Sequence, residues 1–167
     1  MKILCCIIAM FVVAILIVPG CKKEKESETS TDNPVCKSNL KTTIGIEEIA
    51  DSLSCVDFDY DASAKMLSLN HINTAFNCCV ESIGAQTSIH GNQIIIQEYE
   101  VNPQCNCECL YDLDIVINNV APSVYQLQLN EPNAGAQQAI LFDVNLESDT
   151  SGTFCVTRLQ YPWGLGF

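Results

Sequence analysis

From Leu53 onward, apolar and polar side chains alternate nearly residue by residue, which is the period of a strand with one dry face and not that of a helix. In VDFDYD, Val56, Phe58 and Tyr60 take one side while Asp57, Asp59 and Asp61 take the other, because successive side chains of an extended chain point to opposite faces. YQLQL, with Tyr125, Leu127 and Leu129 in phase, repeats the pattern, as does AILFDVNL with Ile140, Phe142, Val144 and Leu146. Turn-forming residues punctuate it at 61–64, 91–92, 103, 122, 132–135 and 149–152. Gly91-Asn92 predicts the clearest hairpin, since glycine at the first central position suits a type II′ turn.

Eight or nine strands result, near residues 53–60, 65–72, 76–83, 86–90, 93–101, 107–118, 123–130, 138–147 and 153–159. Many short strands at this spacing predict an all-β fold, an antiparallel β-sandwich of Ig-like or jelly-roll-like type. The one helical window, Gly45–Leu53, reads equally well as an edge strand.

The N-terminus has a different character. Lys2 precedes an uncharged apolar run, Ile3–Val18, closed by Pro19, Gly20 and Cys21. Sixteen residues fall short of the roughly 20 that span a bilayer as a helix, so residues 1–20 read as a signal peptide that is cut off. The ending VPGC resembles a bacterial lipobox, with an unusual Pro19, in which cleavage precedes a cysteine whose thiol is acylated. Cys21 is then the lipidated N-terminus, and palmitate-type chains attach the protein to a membrane of the cell envelope. The outer membrane is the expected one, with the domain in the periplasm or at the cell surface. Residues 22–34, KKEKESETSTDNP, hold no large apolar side chain, which predicts a disordered tether over 21–35. Residues 36–167 remain as a single domain with room for a core.

Charge narrows the partners. From Thr42 to the end there are sixteen Asp and Glu against two bases, Lys65 and Arg158. Nucleic acid and anionic head groups need clustered Lys and Arg, so neither is an expected partner.

Eleven cysteines punctuate the chain. Cys5 and Cys6 lie in the signal and Cys21 carries lipid, leaving Cys36, Cys55, Cys78, Cys79, Cys105, Cys107, Cys109 and Cys155. An even count in an oxidising compartment predicts up to four disulfides. In CNCECLYD, Cys105, Cys107 and Cys109 fall in phase with Tyr111, Leu113, Ile115 and Ile117, the buried side of one strand. Strand neighbours two apart have Cα atoms roughly 6.6 Å apart with parallel Cβ vectors, at the limit of disulfide geometry, so these three pair elsewhere. Cys78 and Cys79 are expected to take two of them, one bond crossing the core and the other at an edge or loop. Cys36 pins the end of the tether.

A thiolate site for copper or zinc is the competing reading of the same sulfur-rich spacing. It lacks the zinc-ribbon Cys-x-x-Cys and any paired histidine. A thiol oxidoreductase would want Cys-x-x-Cys at a helix start, which is also missing. Asp57, Asp59 and Asp61 mimic the start of a calcium loop, but Ala62 stands where the glycine belongs and Ser68 where the closing Glu belongs. Ser38–Lys41 matches Ser-x-x-Lys without its companion motifs, and His71 and His90 have no Gly-x-Ser-x-Gly nucleophile to serve. His71 is in phase with Leu67 and Leu69, as a hydrogen-bonded inner-face histidine; His90, beside the turn, should be exposed. Near the C-terminus, Tyr161 and Trp163, with Phe167, either cap the sandwich or stack on a sugar ring.

Together HINTAFNCC, GNQIIIQEYE and CNCECLYDLDIVINNVAPSVYQLQL resemble a group of small uncharacterised bacterial lipoproteins with Asn-Cys-Cys and Cys-x-Cys-x-Cys-x-Tyr-Asp segments, over roughly residues 53–130. The resemblance implies a lipidated β-domain and brings no mechanism. The expected function is that of a lipid-anchored, non-enzymatic binding or structural module without a cofactor, facing an envelope protein or glycan partner. A glycan-binding module using Tyr161 and Trp163, or a thiolate metal protein, are the alternatives.

Overall fold

The computed structural model describes residues 26–32, 34–37 and 49–159, which form nine strands and, among these residues, no helix. In chain order they are β1 (Glu26–Asp32), β2 (Leu53–Asp61), β3 (Met66–Asn77), β4 (Ser82–His90), β5 (Gln93–Val101), β6 (Glu108–Asn118), β7 (Val124–Asn130), β8 (Ile140–Asn145) and β9 (Ser151–Thr157). They build two packed sheets, one ordered β1-β4-β5-β7-β8 and the other β6-β3-β2-β9. The fold is the all-β, disulfide-stapled sandwich that the alternation predicts.

Alternation decides which side chains enter the gap between the sheets. Cross-strand partners Val56 with His71, Leu69 with Ile115 and Leu67 with Ile117 all face inward. From the opposite sheet come Ile94, Ile96, Leu127, Leu129 and Ile140, each almost wholly buried. Tyr60 and Tyr111 reach the core by giving their hydroxyls to backbone carbonyls, Tyr60 to Val120 O at 2.9 Å and Tyr111 to Asn77 O at 3.0 Å. A buried phenol without an acceptor would otherwise be costly. At the β4–β5 hairpin Gly91 adopts φ +60°, as the first central position of a type II′ turn requires.

Three sequence expectations need correction. The first concerns strand boundaries, because the three strands expected over 65–72, 76–83 and 86–90 are two, β3 and β4. β3 runs unbroken from Met66 to Asn77 through a bulge at Asn73, whose φ of 62° inserts one extra residue opposite β6. The bulge returns Thr74 and Phe76 to the inner face, opposite Tyr111 and Cys109. Asn tolerates this left-handed conformation, and here its side chain bonds the carbonyls of Ala50 and Leu53. Secondly, β5 and β7 pair in parallel. Between them the chain crosses to the other sheet as β6, so β7 returns in the direction of β5.

The third correction concerns the predicted tether. Glu26–Asp32 pairs antiparallel with β4 from Ser88 to Ser82, as the outermost strand of its sheet. Its composition forbids a core contribution, but a ladder needs only backbone N–H and C=O groups. Gly84 makes the approach possible, since a Cβ there would lie 2.4 Å from Thr29 O and 2.6 Å from the Tyr99 hydroxyl. That hydroxyl donates to Glu28 Oε1 at 2.7 Å. The chain then crosses to the second sheet, where Lys37 N donates to Leu110 O of β6, Cys36 is bridged to Cys109, and Lys37 Nζ pairs with Asp112. One lateral side of the sandwich is thus closed by the N-terminal segment.

Candidate functional site

The opposite lateral side is open. There β8 and β9, the outermost strands of the two sheets, flank a cleft of about 250 Å³. Phe142 from β8 and Phe154 from β9 stack across the gap with centroids 4.6 Å apart and planes within 10°. Phe58 from β2 also lines it, and a Cβ on Gly152 would lie 2.6 Å from that ring, so glycine leaves the space Phe58 occupies. Asp143, Asp149, Ser151 and Thr153 complete the polar lining, which contains two carboxylates and no basic side chain. Thr153 Oγ1 donates to Asp57 Oδ1 at 2.6 Å, placing a third carboxylate just beyond. The three phenylalanines share the inward phase of the core, yet each is only half-buried; Phe142 and Phe154 stand on outermost strands with a neighbour on one side only, and Phe58 lies one strand in, beside β9.

A second polar centre is sealed inside. His71 on β3 lies with Nε2 2.8 Å from Ser54 Oγ on β2 and with Nδ1 2.5 Å from Glu98 Oε1 on β5. Thr74 Oγ1 donates to the other Glu98 oxygen at 2.8 Å. Beyond Ser54, Arg158 donates to Ser54 Oγ at 3.2 Å, to Gln138 O at 2.9 Å and to Glu131 Oε2. The other Glu131 oxygen lies 3.8 Å from His71 Nε2, and no hydrogen bond to it is present among the described residues. Burial opposes charge on His71, but Glu98, by charge and hydrogen bond, and then Glu131 outweigh it, so the imidazole pKa is raised from 6.5 despite Arg158. Burial also raises the Glu131 pKa, with His71 and Arg158 opposing and Glu98 adding to the rise.

Hydroxyl, imidazole and carboxylate are wired here in the order used for acyl transfer. Ser54 and His71 are nevertheless 0% exposed and Glu98 1%, and an attacking oxygen must come within roughly 3–3.5 Å of its electrophile. The closed fold gives an electrophile no such approach. What the cluster does in this state is join both sheets through paired charges.

The third concentration of chemistry is sulfur. All eight cysteines from Cys36 to Cys155 are paired, as Cys36–Cys109, Cys55–Cys155, Cys78–Cys107 and Cys79–Cys105. The Asn-Cys-Cys segment organises two of these bonds. Asn77 Oδ1 accepts from the amides of Cys79 and Cys105 at 2.9 and 3.3 Å, and Nδ2 donates to Cys105 O at 2.5 Å. One buried amide therefore holds both chain segments in register. The sulfurs of Cys78, Cys79, Cys105 and Cys107 lie within 4.8 Å of one another.

Here two expectations change. β6 starts at Glu108, so of the trio only Cys109 is an inner-face strand residue, while Cys105 and Cys107 sit in the loop after Pro103. Both vicinal cysteines bond to that loop, and neither bond crosses the core. Cys55–Cys155 joins directly opposed residues of β2 and β9 on their outer side.

Of the other sequence candidates, the three aspartates make no joint site. Asp57 is held by Thr153, and Asp61 accepts the Ser63 hydroxyl and the Ser63 and Ala64 amides of the β2–β3 turn. The Ser63 hydroxyl first, then the Ala64 amide, lower the Asp61 pKa. His71 is an inner-face, hydrogen-bonded histidine, as its phase predicts, and His90 is exposed, as its place beside the turn predicts. Residues 1–20, Cys21, Ser38–Lys41, residues 45–48 of the helical window, Tyr161, Trp163 and Phe167 lie outside the described residues. Sequence reasoning missed Ser54, Glu98, Glu131 and Arg158 as partners of His71, and the cleft between β8 and β9. Comparison with protein-family models, with curated proteins and with solved structures finds no match for this chain.

Proposed function

We propose that this chain is an extracytoplasmic binding module of the bacterial cell envelope, anchored by lipid on Cys21 and acting without catalysis. The observation that carries the reading is the open lateral side. One edge of the sandwich is closed by strand, disulfide and ion pair, while the other presents an aromatic cleft between two outermost strands. The most catalysis-like group, by contrast, is closed off from solvent. Four disulfides are consistent with an oxidising compartment outside the cytoplasm. The resemblance to small bacterial lipoproteins agrees with the anchor.

A shorter leash follows than composition alone suggests. Only residues 22–25 separate Cys21 from β1, a span of at most about 17 Å fully extended. The domain then sits close to the membrane and does not reach far from it. A second reading has one observation in its favour, the four clustered sulfurs, which would form a soft-metal site if they were reduced.

Mass spectrometry of the mature protein from membranes, alkylated before and after reduction, tests both. The expected result is a diacyl or triacyl mass on Cys21, no alkylation before reduction and eight sites after it. An unacylated or unprocessed N-terminus refutes the anchor. Free thiols at Cys78, Cys79, Cys105 and Cys107 refute the staples and favour metal.

A further inference from the structure

We infer that the cleft between β8 and β9 takes a cationic side chain, Arg or Lys, of an extended partner segment that lies along the open edge. This rests on the binding reading above and names its ligand. Size is the first argument, since about 250 Å³ is below the roughly 300–1,000 Å³ of sites for whole small molecules. One long side chain or one small ring fills it. Charge selects between occupants. The lining brings Asp143 and Asp149 with no base to neutralise them, and Asp57 stands behind Thr153. Sixteen acids against two bases from Thr42 onward extend the same field over the domain, and one of those bases, Arg158, is buried against Glu131. An anionic occupant is repelled, and a cation is drawn in.

The walls add a second attraction. A guanidinium or ammonium over an aromatic face is favoured by the ring quadrupole, and three phenylalanine rings line this cleft. Backbone geometry explains why the cation should arrive on an extended segment. Among the described residues β9 pairs only with β2, and β8 only with β7. Gly152 and Phe154, which line the cleft, are inward positions of β9. A strand laid beside β9 would direct every second side chain toward that gap, the arrangement by which sheet edges capture peptides.

The test uses the folded domain with its bridges intact and ¹⁵N-labelled. The probe is an acetylated and amidated hexapeptide of alternating Arg and Val, with a citrulline-for-Arg version and a chito-oligosaccharide as comparisons. The expected result is saturable amide shifts over 142–144 and 151–154, at least about tenfold weaker binding of the citrulline peptide, and about tenfold weaker binding of the Arg peptide to the Asp143→Asn/Asp149→Asn protein. Both positions are exposed, so the double variant should fold. Equal binding of the Arg and citrulline peptides, or shifts confined to another surface, overturns the cationic occupant. So does oligosaccharide binding at these amides that survives neutralisation, although that outcome keeps the binding reading. Silence of these amides toward all three probes overturns both.

Discussion

Replacing Glu98 by Leu should be among the most damaging single changes to this fold, because it strips a buried imidazolium of its nearest anion. The carboxylate accepts from His71 at 2.5 Å and from Thr74 at 2.8 Å, and His71, Thr74 and Glu98 are at most 1% exposed. Leucine is close to glutamate in volume, so the cavity term is small and the loss is electrostatic. Breaking a buried pair by removing one partner costs about 3–5 kcal/mol, a large share of the roughly 5–15 kcal/mol that holds a domain together. At about 4 °C per kcal/mol for a domain of this size, the midpoint should fall by about 15 °C. His71→Leu should be comparably harmful, since it leaves Glu98 and Glu131 buried together. The double variant, with neither charge, should recover at least about 2 kcal/mol relative to the sum of the singles. Thermal unfolding followed by far-ultraviolet circular dichroism at pH 6, with disulfides intact, reads all four proteins. A Glu98→Leu midpoint within about 3 °C of the parent, or strictly additive singles, would show that the cluster is not a coupled charge pair.

The same centre fixes the sign of the pH dependence. The His71 contribution is complete below its ordinary pKa of 6.5 and is lost as pH rises through the raised folded value; the raised Glu131 pKa also costs stability as pH climbs above 4.5. Urea midpoints should therefore be higher at pH 6 than at pH 8.5, and His71→Leu/Glu98→Leu should flatten that difference. A parent profile that is flat or rises over this interval contradicts the assignment. Cys55→Ala/Cys155→Ala opens a bridge of sequence separation 100 and should cost about 4 kcal/mol by guanidinium titration; a loss under about 1 kcal/mol would mean that β2 and β9 are held by their ladder alone. Gly84→Ala should displace β1, because Thr29 O is backbone and cannot swing aside. The expected readout is faster hydrogen exchange and proteolysis over 26–32 with a thermal midpoint near the parent's, and unchanged protection there would refute the close packing.

How far the sequence discloses this structure follows from the range of the interactions concerned. Alternation is local, so the inward sets of β2, β6, β7 and β8 can be read directly. The bulge at Asn73 escapes, because a single extra residue looks like the end of one strand and the start of another. Sulfur pairing is half legible: the ban on bonding between strand neighbours sends Cys78 and Cys79 to the 105–109 trio, but nothing local says that Cys55 and Cys155 meet. The polar cluster does leave a trace. Glu98 is in phase with Ile94 and Ile96, Arg158 with Phe154 and Val156, and His71 with Leu67 and Leu69. Three charged or chargeable groups at inward positions must find one another, since none is stable there alone. Which strands face each other is a tertiary fact, however, and the cleft likewise exists only because β8 and β9 are outermost.

The two lateral sides of the sandwich show how one composition serves two ends. Strand edges are hazards, because copies can pair through their unsatisfied backbone groups. Near β4 and β6 the chain covers those edges with its own N-terminal segment, so that the outermost strand there is one of serines, threonines and acids, poor core formers but adequate ladder partners. At β8 and β9 no such cover is present among the described residues, and protection falls to charge. Asp143 on β8, with Asp149 and Asp57 nearby, confronts a second copy with the same carboxylates, so approach of like edges is repelled. The repulsion vanishes for a segment of opposite sign. An edge that rejects its own kind by charge is thereby selective for a basic partner, and raising salt should weaken that preference while relieving self-repulsion.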